Sequence, residues 1–175
     1  MTQAKRQERT KSCITLALYY LLLKKPYDEI TVSDICRQAN VSRVSFYHYY
    51  DKKDDIFIQY SDEKFAEFYE EFTKKESITL EELIVRFFHF FKKEARQLLI
   101  LKCANKQEML IEQFYSYFRY IIYSNPTSHL FKDGADNVKI SFIVGGVFEV
   151  IMRWLDDGMK LAPEEIASKI IEMIK

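Results

Sequence analysis

Residues 43–50 read RVSFYHYY: a guanidinium, a hydroxyl, an imidazole and four aromatic rings within eight positions, followed at once by DKKDD. Such a set can do one of two things. The rings can fill a small core, or the polar tips can meet a hydrogen-bonding partner. Positions three or four apart share a helix face, so a helix over 43–49 turns Phe46 and Tyr50 inward beside Val41. Arg43, Val44, Tyr47 and His48 then point outward, with Ser45 and Tyr49 at the margins. Arginine and serine at a helix start suit base edges and phosphates, and tyrosine hydroxyls and imidazoles suit phosphate oxygens. The competing reading makes all four rings the core of a minimal three-helix domain.

Three further residues extend the outward set. Lys52 and Lys53 stand where the next helix should begin, and Thr31 where the preceding one does. Free N–H groups and the helix dipole favour an anion at a helix start. A lysine there adds a point charge, and a threonine adds a hydroxyl. These clamps are independent of base sequence and leave discrimination to Arg43, Val44, Ser45 and His48. For the two lysines the plainer alternative is a solvated charge run.

Several elements must hold these residues. Apolar spacing predicts a first helix over 5–24, with a basic start, stopped by Pro26. Thr31 is a good N-cap for a second helix, Asp34 places charge in its first turn, and Asn40 tolerates the left-handed conformation that ends it. Ser42 caps the third, and only a tight turn fits between the two, which makes a helix-turn-helix. A fourth helix follows from DKKDD through 74–75, a fifth from Thr79, a sixth over ARQLLILKCAN and a seventh running to Asn125-Pro126. After the loop NPTSHLFKDG, an eighth covers 135–157 and ends at Gly158; Pro163 opens the ninth. The expectation is an all-α chain of about nine helices, with residues 1–52 as a helix-turn-helix, DNA-binding head and 53–175 as a helical body.

Bulk properties agree. With 48% hydrophobic and 30% charged residues, the 175-residue chain is globular, and four glycines are too few for a turn-rich β fold. No stretch is apolar enough to span a membrane, and the N-terminus lacks the apolar core of a secretory signal. Cys13, Cys36 and Cys103 are unpaired in spacing and suit reduced thiols, so the cytoplasm is the expected compartment. The zero net charge hides an asymmetry: residues 1–53 carry ten Lys/Arg against five Asp/Glu, and the remainder sixteen against twenty-one. A basic head on an acidic body fits a polyanion-binding module joined to something else. No metal-ligand cluster, nucleophile–base pair or phosphate loop is apparent, so neither an enzyme nor a cofactor is expected.

TVSDICRQANVSRVSFYHYYDKKDDIF resembles the DNA-binding signature of the TetR family of bacterial transcriptional regulators, at Thr31, Ile35, Ala39, Val41, Ser42, Phe46, Tyr47, Tyr50, Lys53 and Ile56. The resemblance covers about the first sixty residues. It implies an all-α homodimer with a three-helix head and a variable helical body, binding a palindromic DNA operator and a small-molecule effector. Repression is the mode it implies, with activation, or control by a protein partner without a ligand, as the alternative. Asn40 and Val44 stand where the family usually has glycine, so operator preference is not carried over from relatives. The C-terminal GGVFEVIMRWLDDGMKLAPEEIA is similar to a subgroup that includes activators of dihydroxyacetone kinase genes.

Residues 54–175 hold twenty of the twenty-seven aromatics. Most must fill the interior, but His89, Tyr115, Tyr117, Arg119, Tyr120 and Tyr123 pair an apolar body with a polar tip and are candidate effector contacts. Gly145-Gly146 inside an apolar helix costs about 1 kcal/mol per glycine against alanine, which close helix approach would offset. With Phe142, Glu149 and Met152 nearby, helices eight and nine are read as the dimer surface, in a four-helix bundle about a two-fold axis. Close packing within one subunit is the alternative.

Overall fold

The first helix, α1 (Gln3–Leu22), buries Ile14, Thr15, Ala17, Leu18 and Tyr19 along one face. A 3-10 turn at Tyr27–Glu29 follows Pro26, and then α2 (Val32–Ala39) begins behind a capping box. In the box the Thr31 side chain accepts from the Asp34 N–H while the Asp34 carboxylate accepts from the Thr31 N–H. Asn40 ends α2 in the left-handed region, at φ 54° and ψ 47°, where asparagine is tolerated and most residues are strained. Two residues later Ser42 caps α3 (Arg43–Tyr47), accepting from the Ser45 N–H at 3.0 Å. The remaining helices are α4 (Asp54–Thr73), α5 (Leu80–Lys93), α6 (Ala95–Cys103), α7 (Gln107–Ser124), α8 (Asn137–Asp156) and α9 (Pro163–Ile174).

This computed structural model describes residues 2–73, 79–124 and 137–174. Among them are nine α-helices, the 3-10 turn and no strand. The all-α expectation is borne out, with shifts at the ends. The first helix begins and ends two residues earlier than its apolar spacing suggested, and α3 stops at Tyr47 rather than 49. Helix ends depend on the fit of the last turn, which periodicity does not encode. The loop NPTSHLFKDG lies outside the described residues.

Two compact units emerge. The first comprises residues 1–64 and 100–105, the second 65–99 and 106–175. In the first, α1 packs on α2 and α2 on α3 around Ile14, Leu18, Ile30, Ile35, Phe46 and Ile56, each at most 1% exposed. Tyr19 of α1 meets Phe57 and Tyr60 of α4 at ring distances of 6.0 and 5.9 Å. In the second, α5 packs against α9 and α7 against α8. Its interior is aromatic: Phe87 faces Phe68, Phe91, Phe114 and Phe118, and Phe88 meets Trp154 edge-on at 5.3 Å.

Candidate nucleic-acid interface

α3 is short, yet it sorts its side chains cleanly. Phe46 is fully buried and Tyr50 is 3% exposed, with their ring centroids 5.6 Å apart. Burial pushes the Tyr50 phenol above its usual range, against a hydrogen bond from Thr15 that lowers it. Val44 is 81% exposed and Tyr47 48%, and Arg43 and His48 are exposed beside them. Arg43 and Tyr47 are one turn apart, with the guanidinium carbon 6.0 Å from the ring centre. His48 meets Tyr49 edge-on at 4.7 Å. Tyr49 is half-buried, and its carbonyl accepts from the Gln59 amide at 2.8 Å. Of the four rings, then, two build the core and two reach the surface.

The flanking anchors behave differently from expectation. At the start of α2, the Thr31 hydroxyl lies 2.8 Å from the Asp34 carboxylate, which also pairs with Lys25 at 2.8 Å and Arg37 at 3.6 Å. Lys25 foremost, with the Thr31 amide and hydroxyl, holds the Asp34 carboxyl well below the usual carboxylate range. At the start of α4, the amides of Asp51 and Lys52 donate to Asp55 Oδ2 at 3.0 and 2.9 Å. At both places a carboxylate of the chain itself stands where an external phosphate was expected, because an acid three or four residues on reaches back to the open amides. Lys53 turns inward as well. Its ammonium donates to the Tyr27 and Ile30 carbonyls at 2.7 and 2.8 Å and lies 4.0 Å from the Tyr27 ring centre. The Tyr27 hydroxyl in turn donates to Asp54. Lys53 thus braces the 3-10 turn against α4, while Lys52 is exposed.

The structure adds a surface that the apolar pattern did not flag. The first turns of α1 stand beside α3 and form an open groove of about 700 Å³, lined by Gln3, Arg6, Gln7 and Thr10 on one side and Val44, Ser45, His48 and Tyr49 on the other. Positions 3, 6, 7 and 10 follow a helical i, i+3, i+4, i+7 pattern, so their common face was legible once a polar periodicity was sought. The groove joins amide, guanidinium, hydroxyl and imidazole groups, which suit phosphates, sugars and base edges.

The described candidate effector contacts meet different neighbours. His89 is exposed on α5 and pairs with Glu164 of α9 at 2.8 Å. The Glu164 carboxyl is lowered first by its own backbone amide and then by His89. Tyr115 reaches α8, where its hydroxyl donates to the Ser141 carbonyl at 3.1 Å. Tyr117 faces another way, stacked on Phe65 at 3.9 Å and 5°. Arg119 and Tyr120 are exposed, Tyr120 meeting Tyr69 edge-on at 4.9 Å; the Tyr123 side chain lies outside the described ones. Alternate positions of one helix necessarily face different neighbours.

The α8 residues also divide. Phe142 is 78% exposed, Glu149 is exposed and pairs with Arg153 at 2.8 Å, and a Cβ at Gly146 would meet nothing within 4 Å. Gly145 faces α7 instead, since a Cβ there would come within 3.3 Å of the Tyr115 hydroxyl, and Met152 is only 6% exposed. Those two pack within the subunit, whereas Phe142, Gly146 and Glu149 face outward. Among the described residues no group of three or more His, Cys, Asp or Glu could hold a metal, and no helix is long and apolar enough to cross a membrane.

Comparison with known proteins decides the family. The profile described as "Bacterial regulatory proteins, tetR family" matches residues 15–60, and that described as "Transcriptional regulator C-terminal region" matches residues 78–175. The chain belongs to the TetR family. It is a transcriptional regulator with a DNA-binding domain, and not an enzyme. A TetR transcriptional regulator from Streptococcus agalactiae 2603V shares the fold with TM-score 0.72 and 22% identity, over 99% of this chain and 97% of that one. The dihydroxyacetone kinase operon activator DhaS aligns with TM-score 0.59 and 16% identity, over 94% and 93%. FadR from Bacillus subtilis, solved with stearoyl-CoA, aligns with TM-score 0.58 and 21% identity, over 93% and 96%. No curated protein matches the chain.

Proposed function

We propose that this TetR-family regulator is a cytoplasmic homodimer that represses transcription from a palindromic operator and releases it when a small molecule binds. Residues 1–52 are its DNA-binding domain and 53–175 its effector and dimer domain. The observation that carries the reading is the outward set Arg43, Val44 and Tyr47 of α3 with His48 at its end, while the rings of Phe46 and, just beyond the helix, Tyr50 are buried. Each subunit lays α3 in a major groove, with half-sites about 34–36 Å or a multiple apart. Arg43, Val44, Ser45 and His48 read base edges, while Ser42, Tyr47, Tyr49, Lys52 and the α1 groove hold backbone.

Phe142, Gly146 and Glu149 form one exposed stripe on α8 that supports pairing about a two-fold axis. The effector acts through unequal affinity for the DNA-bound and free arrangements. That a FadR of the same fold was solved with stearoyl-CoA, and that the second unit here is aromatic inside, supports an effector with a substantial apolar part. The likeness to an operon activator favours, as the second reading, activation in place of repression. Selection from random duplexes tests the central claim. Arg43→Ala or Val44→Ala should change the selected consensus, and an unchanged consensus for both would exclude base reading by α3.

A further inference from the structure

α1 is apolar on two sides. One carries Ile14, Ala17, Leu18 and Tyr19 into the core, and the other leaves Leu16 65% and Tyr20 42% exposed. The C-cap residue Leu23, still in right-handed helical backbone and 63% exposed, continues that second side. At i, i+4 and i+7 these three make a continuous stripe about 10 Å long. Nothing in the DNA-binding reading uses it, and three large apolar side chains in register are more than scattered surface exposure. We propose that this outer face of α1 is a docking surface for an amphipathic helix of another protein, one with leucine-like side chains at matching spacing and acidic flanks.

Charge selects that occupant. At about 100° per residue, Lys5, Arg9 and Ser12 fall within about 40° of Leu16 around the helix, and Lys5 and Arg9 are exposed. At the other end the Lys24 ammonium lies 4.0 Å from the Tyr20 ring centre. Glu8, the one acidic residue of α1, sits about 80° off the stripe. The face is therefore an apolar centre between cations, complementary to an apolar centre between carboxylates. A second copy would set Lys5, Arg9 and Lys24 against their like. A lipid surface would gain only three apolar side chains across two turns, too few for an interfacial helix.

The test uses the full chain and a synthetic helical peptide of about 18 residues, or ~27 Å, with leucines at i, i+4 and i+7 and glutamates at both ends. Fluorescence anisotropy should show saturable binding, and amide NMR shifts should centre on Leu16, Tyr20 and Leu23. Binding should weaken about tenfold or more in Leu16→Ser/Leu23→Ser and in Lys24→Glu, and on replacing the peptide glutamates with lysines. The variants should shift random duplex DNA as the parent does, which shows the head still folded and separates this proposal from the DNA-binding one. No binding up to ~1 mM peptide, equal binding of the lysine peptide, or binding indifferent to Leu16 and Leu23 would overturn it. So would stripe-dependent self-association in sedimentation, or stripe-dependent capture on anionic phosphatidylserine vesicles.

Discussion

Lys52 and Lys53 adjoin in sequence and differ in kind. The Lys53 ammonium holds two backbone carbonyls of the 3-10 turn and lies over the Tyr27 ring, whereas Lys52 is exposed at the foot of α4. Hydrogen bonds to a charged donor contribute about 1.5–3 kcal/mol each, and removing the donor leaves the Tyr27 and Ile30 carbonyls without it. Lys53→Ala should lower unfolding free energy in urea by about 2 kcal/mol while leaving the salt dependence of DNA binding as it was. Lys52→Ala should do the opposite: little change in stability, and a slope of log affinity on log salt smaller by about one phosphate contact. Denaturant titration and mobility shift across salt, run on both variants, decide between brace and clamp. A like contrast holds on α3, where Phe46→Ala should cost about 3–5 kcal/mol and Val44→Ala nothing measurable, since Val44 has no core to leave.

At the scale of the element, the start of α2 depends on one carboxylate. Asp34 closes the capping box with Thr31 and pairs with Lys25, so its folded-state pKa is depressed below that of the unfolded chain. The stabilisation this represents is present above the ordinary carboxylate pKa and is lost as pH falls through and below it. Asp34→Asn should be less stable than the parent at neutral pH, and the two curves should converge on acidification below about pH 4, as followed by circular dichroism. A constant gap would sink the assignment. These helix starts were legible in the sequence because a cap and its partner lie within four residues: Thr31 with Asp34, Ser42 with Ser45, Asn40 closing α2. The inward and outward sides of α3 were legible for the same reason, since periodicity sets faces. What periodicity leaves open is the partner of each face. It could not say that Asp55 would take the amides at the start of α4, that Gly145 would make room for Tyr115, or that α1 would flank α3 across a groove. Tyr115 and Tyr117 show this most plainly: both have polar tips, and they meet α8 and the Phe65 ring respectively.

For the whole molecule the decisive quantity is the number of heads that grip DNA at once. The exposed stripe of α8 carries one large apolar ring: Phe142 is 78% exposed on a helix whose other side carries Ile143, Val144, Val147 and Ile151 into the core. In the two-fold pairing proposed above, an aromatic of that size at the centre of the contact would oppose its own copy and lose most of its accessible area there. Phe142→Asp would place two carboxylates face to face, with little effect within one subunit because the side chain touches solvent. If the subunits pair as proposed, sedimentation should show a dimer for the parent and a monomer for Phe142→Asp, with the thermal transition of the second unit retained. Operator binding should lose the contacts of one half-site, so the slope of log affinity on log salt should fall to about half and the preference for palindromic over half-site duplexes should vanish. A Phe142→Asp protein that still sediments as the parent does would move the two-fold contact away from α8, and retention of the full salt slope by a demonstrated monomer would mean that one head alone accounts for the phosphate contacts.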